Sequence, residues 1–159
     1  MINIIPFSQE HCESIHSIYK NIIEQGDAFY TEEIISRSKF LETWLQDDSF
    51  IAELNGEAIG AYSLFPIAHG RRSHIACAVL MVSPNFRGKG IGKLLAKHSV
   101  KRAKERGFIA MQFDCVAGTN KPAIGLWTKL GFRIIGTVPG GFRHLQHGFI
   151  DSYIMFKGL

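Results

Sequence analysis

Apolar residues recur at helical spacing in four stretches of the chain, and these stretches predict four helices. Ser8 is a suitable N-cap for the first helix, which is expected to end at Gly26. Thr31, followed by two glutamates, is expected to open the second helix. Gly131 is placed to end the fourth helix as a left-handed residue. The predicted helices cover about 9–25, 31–46, the segment from the glycine-rich loop to Arg106, and 120–130.

Shorter apolar or alternating runs between the helices predict seven strands. An Asn-Gly pair at 55–56 separates two of these runs and is typical of a tight hairpin turn. The run at 73–82 is almost wholly apolar, as expected for a strand in the middle of a sheet. The segment 139–147, PGGFRHLQH, is expected to be a loop between the last two strands. The predicted strands are 2–6, 49–54, 57–65, 73–82, 108–116, 132–138 and 148–156.

These elements follow the order β-α-α-β-β-β-α-β-α-β-β, which predicts an α/β chain of the α+β type. The expected architecture is a mixed, largely antiparallel central sheet of about seven strands flanked by helices. Only the two later helices connect strands in the manner of parallel crossovers. Because the 159 residues contain no linker-like stretch, we expect a single domain covering 1–159.

Composition narrows the class of protein. Hydrophobic residues make up 46% and charged residues 20% of the chain, which is ordinary for a globular domain. The longest apolar run, 75–82, is far shorter than the ~20 residues of a membrane span, and no targeting signal is recognisable. Three cysteines without a Cys-x-x-Cys pair disfavour a disulfide framework and a zinc site. We therefore expect a cytoplasmic protein without a metal and without a membrane partner.

Charge is divided unevenly along the chain. Residues 1–60 contain three Lys or Arg and eleven Asp or Glu, whereas residues 61–159 contain fifteen and three. A basic half suits an anionic cofactor, and an acidic half can attract a cation. The alternative interpretation is that these charges only solvate the surface.

The segment RGKGIGK, residues 87–93, lies between an apolar strand and the third helix. The first N–H groups of a helix have no partner within it, and glycines let a ligand approach the backbone closely, so this segment predicts a phosphate site. Two familiar phosphate loops are excluded by spacing. Three residues rather than four separate Gly88 from Gly92, and a dinucleotide pattern would require a glycine where Lys93 stands.

Arg87, Gly90 and Gly92 form an Arg-x-x-Gly-x-Gly pattern, and here the chain resembles the GNAT family of acetyl-CoA-dependent N-acetyltransferases. A second segment, NKPAIGLWTKLGF at 120–132, is similar to the family's Asn…Ala-x-x-Leu-Tyr-x-x-x-Gly-Phe segment. The resemblance covers essentially the whole chain, because the order of elements before and after the loop also agrees.

The resemblance implies how acetyl-CoA would be bound as a co-substrate. Its pantetheine arm would pair with the edge of the fourth strand at Met81, Val82 and Ser83, and the Val82 N–H would polarise the thioester carbonyl. Asn120 would contact the same arm, and it is also a suitable N-cap. The pyrophosphate would lie on the loop at Arg87, Gly88, Lys89, Gly90, Ile91, Gly92 and Lys93.

The catalytic residues are less well defined. Trp127 stands where many relatives have a tyrosine as general acid, and an indole is no practical proton donor to sulfur. Candidates for proton transfer are His74 on the fourth strand, Asp114, which interrupts an apolar strand and so needs a buried partner or a site, and His144 in the last loop. Glu32 and Glu33 would start the helix that lines the acceptor pocket in relatives, but favourable charge at a helix N-terminus is the preferred explanation for them.

The sequence therefore predicts an acetyl-CoA-dependent N-acetyltransferase acting on a small primary amine by direct attack on the thioester. Peptide or protein amines, and a non-catalytic acyl-CoA-binding module, are the alternatives. Nucleic acid is disfavoured as a partner, because the basic helix has no interleaved aromatic residues for base stacking. Many GNAT proteins form dimers, so a homodimer is compatible with the resemblance, but no feature of the sequence requires one.

Overall fold

A seven-stranded sheet with the strand order β1-β2-β3-β4-β5-β7-β6 forms the centre of the computed structural model, which describes all of residues 1–159. The predicted α+β architecture is confirmed. The elements are β1 Ile2–Pro6, α1 Cys12–Gln25, α2 Arg37–Gln46, β2 Asp48–Leu54, β3 Glu57–Pro66, β4 Ile75–Val82, α3 Ile91–Glu105, β5 Ala110–Ala117, α4 Lys121–Lys129, β6 Arg133–His144 and β7 Gly148–Gly158. None of the four helices is both long and apolar enough to span a bilayer.

β4 and β5 form the one parallel pair in an otherwise antiparallel sheet. Their register contains only two residue pairs, Ile75 with Ala110 and Ala76 with Met111. Beyond Ala76 the two strands diverge, so the middle of the sheet opens into a cleft. β3 continues to pair with β4 as far as Val82, which keeps the other edge of β4 straight and occupied.

Each face of the sheet buries its own apolar core, because the helices cover both sides. The larger core packs α3 and α4 on the sheet and includes Leu95, Met111 and Trp127. The smaller core packs α1 and α2 on the opposite face and includes Phe40 and Met81. The cleft between β4 and β5 therefore lies between two apolar cores, one on each face of the sheet.

Two predicted helix starts differ from the structure. Ser8 precedes a single 3₁₀ turn at Gln9–His11, and α1 begins only at Cys12. The second helix begins at Arg37 rather than Thr31, because Ser36 is its N-cap and accepts the Lys39 N–H at 3.2 Å. Residues 27–36 are irregular, so the expectation that Glu32 and Glu33 open a helix was wrong.

The predicted loop at 139–147 is also wrong for most of its length. β6 continues through this segment to His144 and leaves only a short turn before β7. The strand tolerates Pro139 because β6 is at the edge of the sheet and its register shifts between Val138 and Phe142. Gly141 is needed at this bulge, since a Cβ there would collide with Ser152 and Val138.

Candidate active site

A cavity of about 1540 Å³ opens where β4 and β5 diverge. One side is formed by β4, β5 and the N-terminal part of α4. The other side is formed by the irregular segment 27–35, by α2 and by the turn between β6 and β7. The cavity therefore extends from the cleft in the sheet to the irregular segments above α1.

The pairing of β4 decides which of its N–H groups face the cleft. The Ser83 N–H donates to Ile59 O at 2.9 Å, so this amide is directed toward β3 and away from the cleft. Because N–H direction alternates along an antiparallel strand, the Met81 amide is directed like that of Ser83. The amides of Ala78, Leu80 and Val82 point instead toward the cleft, where β5 offers no partner beyond Ala76. Of the three predicted contacts, only Val82 thus presents its N–H to the cleft.

The glycine-rich segment presents a run of unpaired donors. Six consecutive N–H groups, from Gly88 to Lys93, form no hydrogen bond of good geometry with an acceptor in the protein. Gly88 and Gly90 have φ angles of 75° and 83°, and a Cβ at either position would meet nothing within 4 Å. Left-handed backbone rather than crowding is therefore what requires these two glycines. Six free amides at the start of a 15-residue helix form a strong anion site.

The basic side chains of this segment are exposed around that site. Arg87 donates from Nη2 to Gln25 Oε1 at 3.2 Å, which ties the segment to the end of α1. Lys89 lies 5.0 Å above the Phe86 ring, and Lys93 is free in solvent. None of the three is in an ion pair, so their charges are available to an anionic ligand.

The start of α4, which follows β5, also lines the cavity. Asn120 is its N-cap, and its side chain accepts the Ala123 N–H at 3.3 Å. This bond uses the amide oxygen, so the Asn120 NH₂ group has no acceptor in the protein and lines the cavity. Trp127 is 6% exposed and packs against Phe113 with ring centroids 4.3 Å apart. The indole is therefore a core residue that also borders the cavity.

The structure separates the three predicted catalytic residues. His74 is exposed in the turn before β4, so it is not on the strand face where the sequence placed it, and it does not line the cavity. Asp114 does line the cavity, but it is exposed and accepts Gln112 Nε2 at 2.6 Å. The expected burial of Asp114 was wrong, because a bulge between Phe113 and Val116 lifts it out of the strand ladder.

His144 is buried at the end of β6 rather than in a loop, and it lines the cavity. Its Nδ1 accepts the N–H groups of Gln146 at 3.0 Å and His147 at 3.2 Å. Two donors on Nδ1 place the ring proton of the neutral histidine on Nε2, and we assign this tautomer. In this state His144 offers the cavity a hydrogen-bond donor and not the free lone pair of a general base.

One cavity residue was not identified from the sequence. Asp47 follows α2, lines the cavity half-buried, and accepts the Ser63 hydroxyl at Oδ2 over 3.1 Å. Ser49 donates in turn to Ser63 at 3.0 Å, and both serines are buried. Burial raises the pKa of Asp47, and the Ser63 hydrogen bond partly opposes this shift. The detectable signals were the Asp-Asp pair at the start of β2 and a lone serine within an apolar strand.

The charge inside the cavity is strongly one-sided. Its only Lys or Arg is Arg87, which lies at the phosphate end. Five carboxylates also line the cavity: Glu24, Asp27, Glu33, Asp47 and Asp114. Cys77 also lines the cavity, but burial, with the charge of Asp114 adding to it, raises the pKa of its thiol to about 12. The thiol therefore remains protonated near neutral pH and is a poor nucleophile.

The fold and the loop geometry agree with known proteins. Residues 13–132 match the model of the acetyltransferase (GNAT) family. The chain belongs to the GNAT acetyltransferase family. The resemblance seen in the glycine-rich segment is thus confirmed.

Individual relatives of this GNAT chain agree over different lengths. It is 38% identical over 97 residues to N-acetyltransferase aca1 of Schizosaccharomyces pombe. This match covers 60% of this chain and 46% of that protein. The match thus spans less than half of that curated relative.

Two solved structures cover the chain almost completely. A GCN5-related N-acetyltransferase from Kribbella flavida has a TM-score of 0.93 at 30% identity, over 99% of this chain and 98% of the other. A phosphinothricin acetyltransferase from Sinorhizobium meliloti, in complex with acetyl-CoA, has a TM-score of 0.90 at 24% identity, over 99% of this chain and 88% of the other. The second likeness shows the shared fold.

Proposed function

We propose that this GNAT chain transfers the acetyl group of acetyl-CoA to the primary amine of a small, positively charged molecule. The observation that carries the proposal is one continuous cavity whose two ends suit the two substrates. Arg87 adjoins the free amides and is the cavity's only lysine or arginine, and five carboxylates, among them Asp47 and Asp114, also line the cavity. An anionic donor and a cationic acceptor can therefore meet at the cleft between β4 and β5.

Acetyl-CoA fits the first end by the chemistry of its donors. The six free amides from Gly88 to Lys93, with Arg87, Lys89 and Lys93 around them, suit a pyrophosphate. The cleft-facing amides of β4 suit the amide groups of the pantetheine arm, which would add to β4 where β5 has left it. The Asn120 NH₂ group is a further donor that lines the cavity. Acetyl-CoA supplies an activated thioester to this cleft.

The reaction proposed is direct attack by the amine. The nitrogen lone pair attacks the thioester carbonyl carbon, the new C–N bond forms, and the C–S bond breaks. A free N–H of β4, with Val82 our first choice, stabilises the negative charge that develops on the carbonyl oxygen. The nitrogen loses a proton and the thiolate gains one, so the products are an amide and CoA thiol. A high thiol pKa at Cys77 gives no support for an acyl-cysteine intermediate.

Proton transfer is assigned by position in the cavity. A free alkylamine has a pKa near ~10.4, so the acceptor must lose a proton before it attacks. Asp114 borders the cleft on β5 as an exposed carboxylate, and we propose that it accepts this proton through water. His144, with its proton on Nε2, is proposed as a donor toward the acceptor or the leaving sulfur. His74 lies outside the cavity and receives no role.

The test is thiol release from acetyl-CoA with a panel of primary amines and peptides, using Gly90→Val as the inactive control. Turnover is expected with small cationic amines, and the valine should abolish it because φ at position 90 is 83°. Turnover with peptides but not with small amines would mean that the acceptor is a peptide or protein amine. Tight binding of CoA with no turnover for any acceptor would contradict the proposal and favour a binding module.

A further inference from the structure

Asp47 occupies a position that stability alone does not explain. It directly follows α2 as its C-cap residue, where the helix dipole disfavours a negative charge. It is half-buried, forms no ion pair, and burial is the main cause of its raised pKa. A carboxylate held under these three conditions costs folding free energy unless a cation joins it.

The adjacent residue Asp48 shows how a carboxylate that lies outside the cavity is neutralised in this chain. Asp48 accepts Arg102 Nε at 2.5 Å and lies 3.4 Å from Arg106 Nη1. Asp48 does not line the cavity, whereas Asp47 does. Two neighbouring aspartates thus have opposite surroundings, one saturated by arginines and the other open to the cavity.

A pair of buried hydroxyls fixes the Asp47 carboxylate. Ser49 and Ser63 are direct register partners on β2 and β3, and their hydroxyls form a chain that ends at Asp47 Oδ2. Because an ionised carboxylate only accepts hydrogen bonds, the direction of this chain is fixed. Asp47 Oδ1 accepts no hydrogen bond from the protein, so it is the atom left for a ligand.

The strand register places the residue that holds Asp47 next to β4, the strand that borders the cleft. Ser63 pairs with Val79 of β4, and Val79 lines the cavity between the cleft-facing amides of Ala78 and Leu80. One strand spacing, about 4.8 Å, thus separates the residue that holds Asp47 from the strand beside the cleft. A short molecule can reach from Asp47 to the open edge of β4.

We propose that Asp47 binds a second, non-reacting cationic group of the acceptor, which makes the preferred acceptor a short molecule of the diamine type. The reacting nitrogen must be neutral when it attacks, and a carboxylate in contact with it would favour the charged form. The charge that Asp47 holds is therefore the distal one. This inference rests on the proposed function for the identity of the reacting group, but the binding of the cation does not depend on turnover.

The experiment compares two probes of equal length, 1,4-diaminobutane and 4-aminobutan-1-ol, titrated calorimetrically into the protein saturated with CoA. A charge-assisted hydrogen bond should give the wild-type chain about a 10- to 100-fold preference for the diamine. Asp47→Asn keeps the shape and the Ser63 acceptor, and it should abolish the preference. Asp48→Asn is the matched control and should retain it.

The outcomes separate cleanly. A wild-type chain that does not distinguish the probes, or an Asp47→Asn variant that still prefers the diamine, would overturn the proposal. Circular dichroism and CoA affinity, both expected to be unchanged in Asp47→Asn, show that the variant is folded. If acetyl-CoA in place of CoA gives no acetylated diamine while the binding preference persists, the proposed function fails and the cation site stands.

Discussion

The two ends of the cavity are built from different parts of the polypeptide. The phosphate end consists of main-chain N–H groups from one continuous segment, Gly88 to Lys93, with exposed basic side chains around it. The acceptor end consists of side chains brought together from distant segments, including Asp47, Asp114 and His144. The first end has no carboxylate among its residues, whereas the second has no lysine or arginine.

This difference predicts how each end responds to substitution. Main-chain donors do not depend on side-chain identity, so only backbone geometry or nearby charge can change the phosphate end. Such changes should lower the activity with every acceptor equally, because all acceptors share acetyl-CoA. Changes at the acceptor end should alter selectivity among amines and leave CoA affinity as it was.

The largest effect is expected from Gly90→Ala. The alanine must keep a φ near 83° or move the loop, and either strain or movement misplaces the free amides. We expect CoA affinity to fall about 10- to 100-fold, as measured by calorimetry. The KM for the amine should change little.

Gly56→Ala is the matched control for this strain. Gly56 also has a positive φ, 80°, and a Cβ added there would meet nothing within 4 Å, but it lies in the β2–β3 turn. The Gly56→Ala variant should lose similar stability and keep full CoA affinity. Equal CoA affinities in the two variants would show that the loop amides do not bind the cofactor.

A smaller effect is expected when Arg87 and Lys93 are both replaced by alanine. Their side chains are exposed, so each contributes modestly and is screened by salt. CoA affinity should fall about 10-fold at low ionic strength, and the difference from wild type should shrink as salt is added. A loss that is independent of salt would mean that the two side chains act through structure and not through charge.

Asp47→Asn should raise stability while it lowers selectivity. Burial raises the folded-state pKa of Asp47 above its unfolded value. Between these two pKa values the folded state binds more protons than the unfolded state, so stability falls as pH rises through this range. Above the folded-state pKa the full cost is present, and the asparagine removes it. We expect a Tm about 1–2 °C higher at pH 7, because solvent screening limits the cost, and no difference below the unfolded pKa. A lower Tm at pH 7 would mean that the carboxylate stabilises the fold.

The smallest effect is expected from Trp127→Phe. The indole packs between Phe113 and Phe132 and forms no hydrogen bond within the protein, so a phenyl ring can preserve most of these contacts. If Trp127 is only a wall, kcat should change less than about 2-fold with a fast acceptor, since its removal takes away no proton donor. A large fall in kcat at unchanged CoA affinity would give the indole a direct role.

The phosphate end could be predicted from sequence because its parts are adjacent in the chain. A strand, three glycines and a helix start follow one another within 75–105, and each has a local signal. The acceptor end had no such signal. Asp47 depends on Ser49 and Ser63, and only the register between β2 and β3 brings these hydroxyls together. The tautomer of His144 likewise depends on a turn whose shape the sequence did not indicate.

The errors in the predicted elements have the same origin. Thr31 is as good an N-cap as Ser36 by residue type, but Tyr19 Oη donates to Glu33 O and His16 Nε2 contacts Ile35 O, which fixes the irregular segment. The Pro-Gly-Gly sequence at 139–141 is typical of a loop, yet pairing with β7 on both sides of a bulge keeps it in a strand. In both cases long-range contacts outweigh local preference.

Because the ladder between β4 and β5 is short, we expect the stability of the sheet to depend on the ligand that binds between these strands. Only two residue pairs join the half of the sheet that contains β1–β4 to the half that contains β5–β7. A pantetheine arm bound along β4 would form the hydrogen bonds that β5 does not form with this strand. Acetyl-CoA would then stabilise the fold as well as serve as a substrate. At a free concentration of about 100 times its Kd it would add about 2.7 kcal/mol to the free energy of unfolding. In a cell depleted of acetyl-CoA, we therefore expect proteolysis to remove more of this protein, so that its abundance follows the concentration of acetyl-CoA.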